Sequence, residues 1–171
     1  GVLLLSAVGV VSLPTIGGSD APPPVPDAPG SGDTVGGLSL DRVEHEYVTA
    51  LNDRRTNEGA GELTRNATSD AAAAYYNKAT VAAAAGDGDG PSTDAFSRFP
   101  LACDRPGIVS YRVAPERTGQ PVTAFESERA LATELVDSYV ERGEAFRDGT
   151  TVGVDVHVAP TDTVFVTYVV C

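Results

Sequence analysis

The stretch from Val152 to Val170 constrains the fold more than any other. Val152, Val154, Val156 and Val158 alternate with Gly153, Asp155 and His157, the period of two that marks a strand. Pro160, Thr161 and Asp162 supply a turn, and Val164 to Val170 runs back as VFVTYVV. That return strand is apolar almost without interruption, so neither of its faces can be left to water. Something must lie on each side of the hairpin, and helices are the cover available in the rest of the chain.

Three segments have the required period. From Ser39, Leu40, Val43, Tyr47, Val48 and Leu51 fall on one helical face, with Asp41 and Glu44 spaced as a capping pair and Glu58-Gly59 ending the run. A second helix is predicted to start between Asn66 and Asp70 and to continue through an alanine-rich run to Gly86, where GDGDGP breaks it. A third is expected from Phe125 to Arg142, with Leu131, Leu135 and Val136 inward and Gly143 beyond its end. Between the second and third, Pro100, Pro106, Pro115 and Pro121 forbid long elements, leaving one short strand, Ile108 to Ala114. The expected class is α+β: a three-layer α-β-α sandwich around a small, mainly antiparallel sheet.

The chain upstream of Ser39 reads differently. Gly1 to Leu13 is apolar but shorter than the roughly 20 residues a bilayer span needs, and residues 1–18 are expected to be a truncated signal or membrane anchor. Residues 19–38 carry five prolines, then glycines, with Asp20, Asp27 and Asp33 between, the composition of a disordered stalk. Residues 39–171 then form the single folded domain. Acidic residues outnumber basic ones 24 to 12, with Lys78 the one lysine. No basic face is available for phosphates, so nucleic acid is excluded as a partner. The Arg-over-Lys acidic balance resembles that of proteins from salt-loving archaea.

Cys103 and Cys171 allow one internal pairing. An exported chain meets an oxidising exterior, which favours a structural disulfide over two buried thiols.

The order of parts resembles the CAP superfamily (cysteine-rich secretory, antigen 5 and pathogenesis-related proteins) in a short prokaryotic form. That family opens with a helix ending in Asn-x-x-Arg, then a Gly-containing turn and a Leu, as Asn52-Asp53-Arg54-Arg55, Gly59 to Gly61 and Leu63 do here. Ala71 to Ala85 is similar to its alanine-rich second helix, Leu135 to Arg142 to its third, and Val152-Gly153-Val154-Asp155-Val156 to its Val-Gly-Val-Gly-Val strand. Phe165-Val166-Thr167-Tyr168 is similar to the final, aromatic-bearing strand. The resemblance implies a cleft that in the family displays two histidines and acidic residues. Here Ala85 to Pro91 has no His, the Gly-Glu-Asn region reads IVSYRV, and the Gly-His-Arg stretch reads Gly143-Glu144-Ala145-Phe146-Arg147. The cleft histidines do not carry over.

The remaining candidates are few. His157 shares a strand face with Asp155, and with Glu144 or Glu134 could form a degenerate cleft, although edge-strand exposure is the expectation for this pair. Asp41 and His45, one helical turn apart, lack a third metal ligand. GDGDG lacks the oxygen ligands of a calcium loop, and G-x-S-x-G and G-x-x-x-x-G-K-[ST] are absent. Asn66-Ala67-Thr68 is a glycosylation sequon in which Asn66 or Thr68 can equally cap a helix. No cofactor is called for. These features point to a membrane-anchored extracellular domain that binds a lipid, a glycan or an envelope protein without catalysis. The competing readings are a metal-assisted hydrolase and a structural envelope component.

Overall fold

The structure, a computed structural model, describes residues 21–139 and 148–171. Ser39 ends a short strand pair, β1 (Thr34–Val35) with β2 (Leu38–Ser39), and caps α1 (Leu40–Asn57) by accepting from the Arg42 N–H. The expected Asp41/Glu44 capping pair does not form, because Glu44 turns inward to the sheet instead. β3 (Thr64–Arg65) leads through Asn66 into α2 (Ala67–Ala85). The Asn66 side chain accepts from Thr68 and Ser69 N–H, and Gly86, at φ 84°, closes the helix in the left-handed conformation that glycine tolerates. Asn66 of the sequon is therefore the helix cap.

A one-turn helix α3 (Thr93–Phe96), strand β4 (Gly107–Val113), a second one-turn helix α4 (Pro115–Thr118) and α5 (Glu128–Ser138) follow. The third long helix starts later than its periodicity implied. Ser127 is its cap, while Phe125 is the extended residue that ends the preceding 3-10 turn (Val122–Ala124); 140–142 lie outside the described residues. β5 (Thr151–Val158) and β6 (Val164–Val170) form the expected hairpin, in register from Val152↔Val170 to Val158↔Val164.

The main sheet has the order β3-β5-β6-β4, antiparallel except where β3 pairs parallel to β5. Alternate residues of the hairpin face opposite layers. Val152, Val154, Val156, Val164, Val166 and Tyr168 pack with Leu40, Val43, Leu131 and Leu135 of α1 and α5. On the other face Val169 packs with Ala72, Ala73 and Tyr75 of α2 and with Phe96 and Phe99. The α+β sandwich is therefore as expected.

Two side chains of the Asn-x-x-Arg stretch fix the turn after α1. Asn52 pairs with Leu63 in both directions, donating Nδ2–H to its carbonyl (2.9 Å) and accepting from its N–H (2.8 Å). Arg55, wholly buried, donates to the carbonyls of Gly61 (2.7 Å) and Gly149 (3.1 Å). A buried guanidinium is tolerated because backbone carbonyls replace its water. Cys103 and Cys171 are bonded, with Cα atoms 5.4 Å apart across 68 residues of sequence. In the chain-entropy model a closure of that length stabilises by about 4 kcal/mol.

The stalk expectation fails for its second half. Ser31 pairs with Val158 through two 2.9 Å backbone bonds, Leu40 N–H donates to Asp33, and Leu38 is buried in the core. The glycines that read as looseness let the chain pass close to its neighbours: a side chain on Gly36, at φ 55°, would meet the Thr123 backbone at 2.7 Å. No helix among the described residues is long and apolar enough to cross a membrane. The anchor expected at 1–18 lies outside the described residues.

Candidate functional site

Strand β3 supplies β5 with two residues of pairing and then turns away into α2. Past that point the N–H groups of β5 need other acceptors, and carboxylates provide them. Asp70 on α2 accepts from Val154 N–H (3.0 Å) and Glu44 on α1 accepts from Val156 N–H (3.1 Å). Arg65 clamps the two, its Nε donating to both Asp70 oxygens at 3.0 Å and its Nη2 to Glu44 Oε2 at 2.6 Å. Ser31 then takes over the edge at Val158. Burial raises the Glu44 carboxyl to about 7, helped by the charge of Asp155 and opposed by the Val156 N–H and Arg65.

The α2-facing side of the hairpin holds a second polar group. Asn77, fully buried, donates Nδ2–H to the Asp155 carboxylate (2.8 Å) and to the carbonyls of Asp155 (3.1 Å) and Phe165 (3.2 Å). Its Oδ1 accepts from the Thr167 hydroxyl at 3.1 Å, which lies 2.9 Å from that of Ser110. Burial raises the Asp155 carboxyl above its ordinary range, while Asn77, Lys78 and His157 pull it down. α2 reaches this depth because residue 153 is glycine. A side chain there would lie 1.9 Å from the carbonyl carbon of Ser69.

The expected exposure of Asp155 and His157 on an edge strand is overturned. The outer side of β5 is covered by Asp70, Glu44 and Ser31 where β3 ends, and the two residues are 8% and 3% exposed. They do share a face, as the alternation required. His157 Nε2 donates to the Pro29 carbonyl at 2.9 Å. Its Nδ1 is buried without a hydrogen-bond partner, in a space kept open by Gly32, where a side chain would lie 3.3 Å from Nδ1 and 3.6 Å from Lys78 Nζ. Glu134 sits on α5, across the sheet from His157, so it is not brought to this pair. Glu144 lies outside the described residues.

Among the described residues, surface clefts that His157, Asp155 and Asn77 do not line lie elsewhere. One of about 480 Å³ holds the exposed pair Asp41 and His45 between the starts of α1 and α5, beside Arg42, Arg65 and Arg129. One of about 440 Å³ follows the α1–α5 seam further along, and one of about 290 Å³ lies between the end of α2 and the hairpin turn. Among the described residues no three His, Cys, Asp or Glu side chains converge as metal ligands. Asn77 and Arg65 were not marked by any sequence motif, and Glu44 and Asp70 were read only as parts of helix starts. The one available signal for Asn77 was a lone amide in an alanine-rich helix.

No protein-family model matches the chain, and no curated protein matches it.

Proposed function

We propose that this chain carries a CAP-like domain, held at the cell exterior through its N-terminal segment, that acts by binding a lipid, glycan or envelope protein and not by catalysis. One observation carries the non-catalytic part. The residues best placed to be a degenerate cleft, His157 and Asp155, are buried, with His157 Nε2 held by the Pro29 carbonyl and Asp155 Oδ2 by Asn77. A general base must reach a substrate proton through an open site. The family reading is supported by Asn52 and Arg55 of the Asn-x-x-Arg stretch, which tie the end of α1 to Leu63 and Gly61 in the turn that follows it. The external location is supported by the Cys103–Cys171 bond.

The test pairs composition with activity. Purified full-length chain is assayed for zinc and for ester and peptide hydrolysis, beside its His157→Ala variant. In the same preparations, retention on lipid vesicles, immobilised glycans and isolated cell envelopes is measured. Retention by one of these surfaces, unchanged in His157→Ala, is the expected result. Stoichiometric zinc lost together with a hydrolytic activity in His157→Ala overturns the proposal in favour of the metal-assisted hydrolase.

A further inference from the structure

The two edges of the main sheet are finished in opposite ways. Along β5 the outer groups are taken by β3, Asp70, Glu44 and Ser31 in succession. At the other end, β4 pairs over its whole length with β6, from Gly107↔Val170 to Val113↔Val164, and no described residue pairs with its outer side. Of the usual protections of an open edge β4 carries one charge, Arg112, and has no proline, no lysine and no break in its register. Ile108, 36% exposed, is one of only two large exposed apolar side chains among the described residues.

Charge distinguishes this edge further. Residues 98–118 hold four arginines against two acidic residues, a positive excess in a chain of net charge -12. Arg105 before the strand, Arg112 within it and Arg117 after it are all exposed, and none makes an ion pair or a side-chain hydrogen bond among the described residues. In a chain with two acids for every base, three exposed cations in and beside one strand, unpaired among the described residues, are an unmatched surface. Arg112 shares its exposed face with Ile108 and Ser110, so a strand laid beside β4 would place its own alternate side chains next to them.

We infer that the outer edge of β4 accepts an extended, acidic segment of a partner protein, which adds a fifth strand to the sheet. Backbone hydrogen bonds supply the affinity, and carboxylates set against Arg105, Arg112 and Arg117 select the partner. A second copy of β4 is a poorer occupant, since it would bring a second row of arginines to the first. The inference deepens the binding reading above and rests on it.

The probe is a synthetic peptide of about eight residues that alternates Glu with Val and Thr, with a Lys-for-Glu peptide of the same pattern as control. Binding to the full chain is followed by fluorescence anisotropy, and amide hydrogen exchange locates it. The acidic peptide should bind at least about tenfold tighter than the basic one, weaken as salt rises, and slow exchange in residues 107–113 and nowhere else. Substituting Arg105, Arg112 and Arg117 together by Glu, all at the surface, should leave the circular dichroism of the fold intact and reverse the preference. Equal affinity for both peptides, or protection outside β4, overturns the inference. So does concentration-dependent dimerisation that buries β4. If the acidic peptide fails while envelope, lipid or glycan retention persists, the edge proposal falls and the binding reading stands.

Discussion

The hairpin β5–β6 is packed from its two sides by different means. Toward α1 and α5 it presents valines and Tyr168 to leucines and valines, a contact that depends on volume and on no particular partner. Toward α2 it presents Gly153, Asp155, His157 and Thr167, and there each position depends on a specific atom elsewhere: the Ser69 backbone, Asn77, Pro29 and Ser110. The first face resists substitution in proportion to the volume removed. The second resists in proportion to the number of groups left without a partner, which makes it the more brittle of the two.

Gly153→Ala puts the largest strain on this contrast. The added carbon meets helix backbone, which cannot yield as a flexible side chain would, and a loss of about 4 kcal/mol or more is expected in chemical denaturation. A loss below about 1 kcal/mol would mean that α2 is not seated as described. On the opposite face, Leu131→Ala should cost about 3 kcal/mol, in keeping with a cavity in a closed apolar layer. Asn77→Leu keeps the volume near that of the amide while stripping the partners of Asp155, Phe165 and Thr167, and about 2 kcal/mol should be lost. An increase in stability there would erase the distinction between the two faces, since the polar layer would then be dispensable.

Acidity separates the faces more gently. The Glu44 carboxyl is raised from 4.5 to about 7 in the folded protein, so between those values the native state holds a proton that the unfolded chain has released. Its contribution is therefore full below about pH 4.5 and is lost as pH rises through about 7, at no more than about 1.4 kcal/mol per pH unit. Asp155, also raised, adds in the same direction. Unfolding midpoints measured from pH 5 to pH 8 should fall, and Glu44→Gln, which retains an acceptor for Val156 N–H, should flatten the decline.

The apolar face was legible in the sequence because alternation at Val152, Val154, Val156 and Val158, together with the helical spacing of Leu40, Val43, Tyr47 and Leu51, is local information. The caps at Asn66 and Gly86 and the Cys103–Cys171 pair were legible for the same reason, or because no alternative existed. The polar face was hidden in two ways. Asn77 meets its partners across 78 to 90 residues of chain, a distance over which side-chain type alone selects nothing. His157 was expected at an edge because the two-residue strand β3 and the Ser31 bridge are too short to leave a pattern. The docking of residues 29–38 was masked by their composition: Pro and Gly signal flexibility when unpartnered, yet here they let the chain lie close against Val158 and Thr123.

Strand β6 carries one more consequence. VFVTYVV is a seven-residue segment without charge, proline or glycine, rich in β-branched and aromatic side chains, the kind that stacks into fibrils when it is free. Its central place, with β5 on one side and β4 on the other, shields both rows of its backbone groups in the native protein. The unfolded chain loses that shelter all at once. Recovery after denaturation will then be governed by a race between closing the hairpin and intermolecular aggregation, and dilution will decide the yield more than temperature does.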